Sequence, residues 1–193
     1  IFTFEIKRWL HNPVFYVYFA LFFVISVFTT MSSLGAFDAV TVTTSSPTFI
    51  NSPINIVGFL NAFSTLVYFL LPTIIGASVF RDYQYQVHQV LFSYPLTKPA
   101  YLSAKFLSSL LITLLIPMAC ILGFLVGQYM PNVNKDLIGP NHVMAYFQAF
   151  IVLIVPNMVL FGLIVFAVVN YSRNIYVGFI FVLLLLVLQT ALD

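Results

Sequence analysis

Apolar residues run almost unbroken along most of this chain, and the polar positions gather into a few short stretches. Residues 14–33, 57–80, 101–127, 144–170 and 175–192 each form a long apolar run. A helix needs about 20 such residues to cross a bilayer, so the pattern predicts five spans. The separators differ in kind. Residues 1–12 place Phe2, Ile6, Trp9 and Leu10 on one side of a helix, with Glu5, Lys7 and Arg8 elsewhere. That pattern predicts a helix lying in the interface with Trp9 as its anchor, and Pro13 then breaks the direction. Residues 34–56 are rich in Ser, Thr, Asn and Pro, with Asp38 their only charge, and read as an external loop. Residues 128–143, carrying Lys135 and Asp136, read as a second one, and 171–174 as a tight turn holding Arg173. Pro72, Pro117 and Pro156 stand inside spans, where each removes a backbone donor and favours a kink.

The polar stretch between the second and third spans, residues 81–105, organises the rest. At helical spacing Tyr83, Val87, Val90, Leu91 and Tyr94 share one stripe, while Gln84, Gln86, Gln89 and Ser93 fall elsewhere. Asp82 can cap the first turn, and Pro95 stops the helix. Residues 83–94 therefore predict a short amphipathic helix, which either rests on the bilayer or docks a soluble partner. Arg81 and Asp82 close the second span, either as a stop-transfer charge beside its neighbour or as a hinge to the kinked span. Lys105, near the start of the third span, can snorkel to the interface.

Composition narrows the class. The 193 residues are 62% hydrophobic and 6% charged, with mean hydropathy +1.06. A soluble domain carries about a quarter charged residues, so this is an all-α integral membrane protein. A net charge of +2, scattered along the chain, gives no footprint for nucleic acid. With the N-terminus inside, six of the seven Lys and Arg (all but Lys135) face the cytoplasm, as the positive-inside rule requires. His11, His88 and His142 have no zinc-ligand spacing, and no HExxH, GxSxG or phosphate loop is present. Enzymatic chemistry, a cofactor and a bound metal are therefore not expected in this chain. The spans carry no ionisable side chain at mid-depth, which speaks against an ion-coupled carrier or a channel. Their polar residues are neutral: Asn61, Thr65, Thr73, Ser78, Thr113, Gln148, Asn157 and Gln189. These predict helix-to-helix hydrogen bonds, with Asn157, beside Pro156, the best candidate for substrate contact, and Pro72 and Asn61 possible companions along a path.

Phe4-Glu5-x-Lys7, Pro13-Val14-Phe15-Tyr16, Arg81-Asp82-Tyr83, Ser93-Tyr94-Pro95-Leu96 and Tyr101-Leu102-x-x-Lys105-Phe106 follow one another along the chain. In this order and spacing they resemble the membrane subunit of type-2 ABC transporters. Leu137-Ile138-Gly139-Pro140, Tyr146-Phe147-Gln148 and Val155-Pro156-Asn157 are similar to the first permease half of bacterial fusions that end in a zinc aminopeptidase-like domain. The resemblance implies a polytopic helical bundle with an elbow helix over residues 1–12, built around Glu5, Lys7, Arg8 and Trp9. It implies that residues 83–94 are a coupling helix, with Tyr83, Val87, His88, Val90, Leu91 and Tyr94 set against an ATPase subunit. Arg81, Asp82 and Pro95 would form its hinge. ATP and magnesium would sit on that separate ATPase, and a second permease half would complete the path. A sixth span and any peptidase domain would lie beyond residue 193, and the location would be a bacterial inner membrane with the N-terminus in the cytoplasm. Substrate and direction stay open. The competing readings are a non-transporting membrane anchor for a peptidase domain and a secondary carrier or channel.

Overall fold

The computed structural model describes residues 2–37, 49–84, 98–141 and 143–192. Among these the regular structure is all helix, with no strand. The helices are α1 (Phe2–Leu10), α2 (Pro13–Ser33), α3 (Pro53–Tyr68), α4 (Ala77–Gln84), α5 (Lys98–Gly127), α6 (Val143–Ala149), α7 (Val155–Ser172) and α8 (Ile175–Leu192). A π-helical turn, Pro72–Gly76, leads into α4, and a second, Phe150–Ile154, joins α6 to α7.

Among the described residues three helices are long and apolar enough to cross a membrane: α2, α5 and the run Val143–Ser172. A fourth appears if α3 and the segment Pro72–Arg81, bent by 41°, count as one span. The protein is thus an all-helical membrane protein with three to four candidate spans. The apolar part of α8 described to the side-chain level, Ile175–Leu188, is shorter than the about 20 residues that crossing takes. Helices also start earlier than the pattern implied. Pro53 opens α3, four residues before the expected start, and Lys98 opens α5 three before. Proline at a helix start is favourable because its missing N–H would be unpaired there anyway.

The three interior prolines behave differently. Before Pro72 the last bonds of α3 tighten to three-residue spacing, Phe69 N–H to Leu66 O and Leu70 N–H to Val67 O, and the π turn follows. Pro156 stands directly after the other π turn, closed by Val155 N–H donating to Phe150 O. Pro117 leaves α5 unbroken.

The chain divides into two compact units. The first holds residues 1–13, 65–114 and 157–193. Its core is aliphatic: Val67, Leu71, Ile74 and Ile75 are fully buried. Tyr68 stacks on Phe161 with ring centroids 4.4 Å apart. The π turn Pro72–Gly76 packs on α8, where Gly178 faces Pro72 and Val169. A Cβ on Gly178 would come within 2.6 Å of Val169 Cγ2, so only glycine allows this approach.

The second unit holds residues 14–64 and 115–156. Here α2 meets the later part of α5 through small residues. A Cβ on Gly123 would lie 2.6 Å from the Phe23 carbonyl oxygen, and one on Gly127 would lie 2.8 Å from Thr30 Cβ. Ser26 donates its hydroxyl across the same contact to Cys120 O. Phe59 and Phe124 meet with centroids 4.5 Å apart.

Candidate functional site: a buried charge tie on the N-terminal helix

On α1 the side chains turned inward are Glu5 and Trp9, four residues apart and so on one face. Phe2, Phe4 and Leu10 are exposed, as are Lys7 and Arg8. This corrects the sequence expectation, which grouped Glu5 with the polar side and made Trp9 an interfacial anchor. Trp9 instead lies within the first unit at 4% exposure, with the Arg81 guanidinium carbon 5.0 Å above its ring. A guanidinium over an indole face is an attractive pairing, strengthened where water is excluded.

Glu5 meets Lys105. The Lys105 ammonium is 3.3 Å from Glu5 Oε1, and both side chains are buried. The same ammonium donates to Ser78 O at 2.6 Å and lies 5.3 Å from the Tyr101 ring centroid. Lys105 therefore does not snorkel. A buried charge is tolerable only when paired and hydrogen-bonded, and here a carboxylate and a backbone carbonyl supply both needs. Ser108 and Ser109 donate their hydroxyls to Lys105 O, which holds the α5 backbone at that level. Arg81 Nε donates to Ala77 O on α4. The tie thus joins three elements of one unit: α1 through Glu5 and Trp9, α4 through Ser78 and Arg81, and α5 through Lys105. The second oxygen of Glu5 and the indole N–H of Trp9 are buried and make no hydrogen bond to the described residues.

Two signals pointed to this pair in the sequence. Glu5 is the only glutamate of the chain, and Lys105 is the last charge in the chain before a long uncharged run to Lys135. Pairing them required knowing that α1 packs against α5, which no local pattern states.

Of the expected coupling residues, Val87, His88, Val90, Leu91, Tyr94 and Pro95 lie outside the described residues. Asp82 and Tyr83 belong to the backbone of α4, which runs on to Gln84, so Asp82 stands within that helix instead of capping a new one. The expected path residues fall in different units. Pro72 is buried and Asn157 half-buried in the first, whereas Asn61 and Pro156 are exposed in the second. Ser78 and Thr113 bond to carbonyls of their own helices, Ile75 O and Ser109 O, and not to another helix. A helical hydroxyl finds the carbonyl three or four residues back without any tertiary partner.

The second unit holds a different polar site, which the sequence reading missed. Asn51, 2% exposed, donates Nδ2 to Gly139 O at 2.6 Å and to Asn141 Oδ1 at 3.0 Å, and accepts from Gly139 N at 2.8 Å. Ile50 N donates to Leu137 O and Asn134 N to Leu34 O, so the described parts of the two expected loops are knitted together. Beside them a pocket of about 280 Å³ is lined by Gln128, Tyr129, Lys135, Ile138 and Asn141. Asparagine content marks such segments as turn-rich, but it does not say which turns pair.

Among the described residues no group of His, Cys, Asp or Glu is placed to hold a metal ion. No family model, no curated protein and no solved structure matches the chain.

Proposed function

We propose that the chain is the permease half of an ATP-driven transporter of the type-2 ABC kind, probing the substrate path with five spans, α8 being the fifth. In this reading it lies in an inner membrane with its N-terminus in the cytoplasm. A separate ATPase subunit binds ATP and magnesium, and a second permease half completes the path. The observation that carries the reading is the tie of Glu5, Ser78, Arg81 and Lys105. In this reading the coupling helix is the stretch 83–94, which starts within α4 and precedes α5 in the chain. Its two flanking helices, α4 and α5, are both fixed to α1 through this tie. A push on that segment would therefore reach the second span, the third span and the elbow helix together. Pro72 and the 41° bend give the second span a joint at which such a push can be taken up.

The test is capture of the full-length protein from its native membrane in mild detergent, beside a variant with Tyr83, His88 and Tyr94 all changed to Ala. An ABC-type ATPase identified by mass spectrometry with the native protein, and lost with the variant, supports the proposal. A folded, membrane-inserted protein that brings down no ATPase overturns it in favour of the anchor reading.

A further inference from the structure

The pocket beside the knitted loops does not stand alone. Gln128 follows directly on the end of α5, so the pocket sits where a long apolar helix gives way to polar chain. If α5 crosses a bilayer, that is headgroup level. Gln128 Nε2 donates to Tyr146 OH at 3.2 Å, and Tyr146 also lines a second cavity of about 210 Å³. That cavity is walled from α5 by Met118, Ile121, Leu122 and Leu125, at steps of three, one and three. Opposite stand Val143, Tyr146, Phe147 and Phe150, at the same steps. Two helical stripes thus face each other as an apolar groove, and both begin at the polar pocket. From Leu125 to Met118 the groove extends about 10 Å at 1.5 Å per residue.

The pocket's chemistry selects among amphiphiles. Lys135 brings a cation to it. Gln128 is 3% exposed and forms the inner wall of the pocket, where its Nε2 on Tyr146 OH links the pocket to the second cavity. Tyr129 OH already accepts from Asn141 Nδ2 at 3.1 Å and keeps its own proton to donate. A phosphate diester suits Lys135 and Tyr129, and an uncharged polyol headgroup, unlike a cationic one, brings no repulsion against Lys135.

We infer that this paired pocket and groove is a binding site for one anionic glycerophospholipid of the bilayer, with its polyol headgroup in the pocket and an acyl chain in the groove. The site is independent of the transport reading. Apolar exposure alone would hold any lipid equally; the pocket adds discrimination by headgroup.

The full-length protein is mixed in detergent with equal amounts of phosphatidylglycerol and phosphatidylcholine of identical chains, and retained lipid is read by native mass spectrometry. Phosphatidylglycerol is expected to be retained in preference. Lys135→Gln, at an exposed position, should cut that preference about fivefold, the scale for one basic side chain at a membrane surface. Leu122→Trp, which fills the groove, should lower phosphatidylglycerol retention as well. Thermal melting of each variant in detergent confirms the fold. Equal retention of the two lipids by the native protein, or a preference untouched by Lys135→Gln, overturns the site. Loss with Lys135→Gln but not with Leu122→Trp overturns the groove as its second half.

Discussion

The two units bury polarity in opposite ways. The first holds an ion pair, Glu5 with Lys105, backed by the Ser78 carbonyl and accompanied by Arg81 over Trp9. The second buries the neutral amides of Asn51 and Gln128 and closes loops with them. Charges in a dry interior are expensive, and well-packed apolar residues often serve stability as well or better. A neutral amide network carries much less risk. The difference teaches where to look for a moving part. The amide network ties loop to loop and suits a fixed scaffold. The ion pair ties α1, α4 and α5 together, and on the proposed transport reading these are the helices that a push from a partner would move.

The largest effect expected from breaking this comparison is at the ion pair. Lys105→Met leaves Glu5 buried without its cation and should destabilise the first unit by about 3–5 kcal/mol. Pairing it with Glu5→Leu should recover most of that loss, as read by thermal unfolding in detergent. A double variant no more stable than the single one contradicts the pairing. Next comes Asn51→Ala, which removes three hydrogen bonds and leaves Gly139 N and O without that partner. A loss of about 2–3 kcal/mol is expected, with faster amide exchange at Leu137 and Gly139. A smaller effect is expected at the glycine contact of the second unit. Gly123→Ala forces a Cβ toward the Phe23 carbonyl and should cost about 1–3 kcal/mol, measured by the same melting. The smallest stability change is expected for Pro72→Ala. It restores a helical donor and should leave melting within about 1 kcal/mol; on the transport reading proposed above, it would also lower transport, because the joint stiffens.

Much of the fold was legible in the chain, and much of the site was not. Helix positions follow from apolar runs, which are local, so α2, α5 and the run from Val143 to Ser172 stand close to where periodicity put them. The kink at Pro72 was legible for the same reason, since a missing N–H acts on its own helix. The faces of α1 were misjudged. Apolar spacing puts Phe2, Ile6, Trp9 and Leu10 on one side and Glu5 on the other, yet it is Glu5 and Trp9 that turn inward together, Glu5 to meet Lys105. Lys105 was read as snorkelling because its partner lies 100 positions away in the sequence. The Asn51–Gly139 link was missed because both residues look like ordinary turn formers until the loops meet.

The most direct test of the proposal that a partner ATPase acts on the charge tie is amide exchange on the complex that the capture experiment is expected to yield, compared without nucleotide and with vanadate-trapped nucleotide. The account predicts that protection changes together in Phe2–Leu10, Ala77–Gln84 and the start of α5, while Leu137 and Gly139 stay as they were. Identical exchange at the tie in both states, or change confined to the knitted loops, would contradict it.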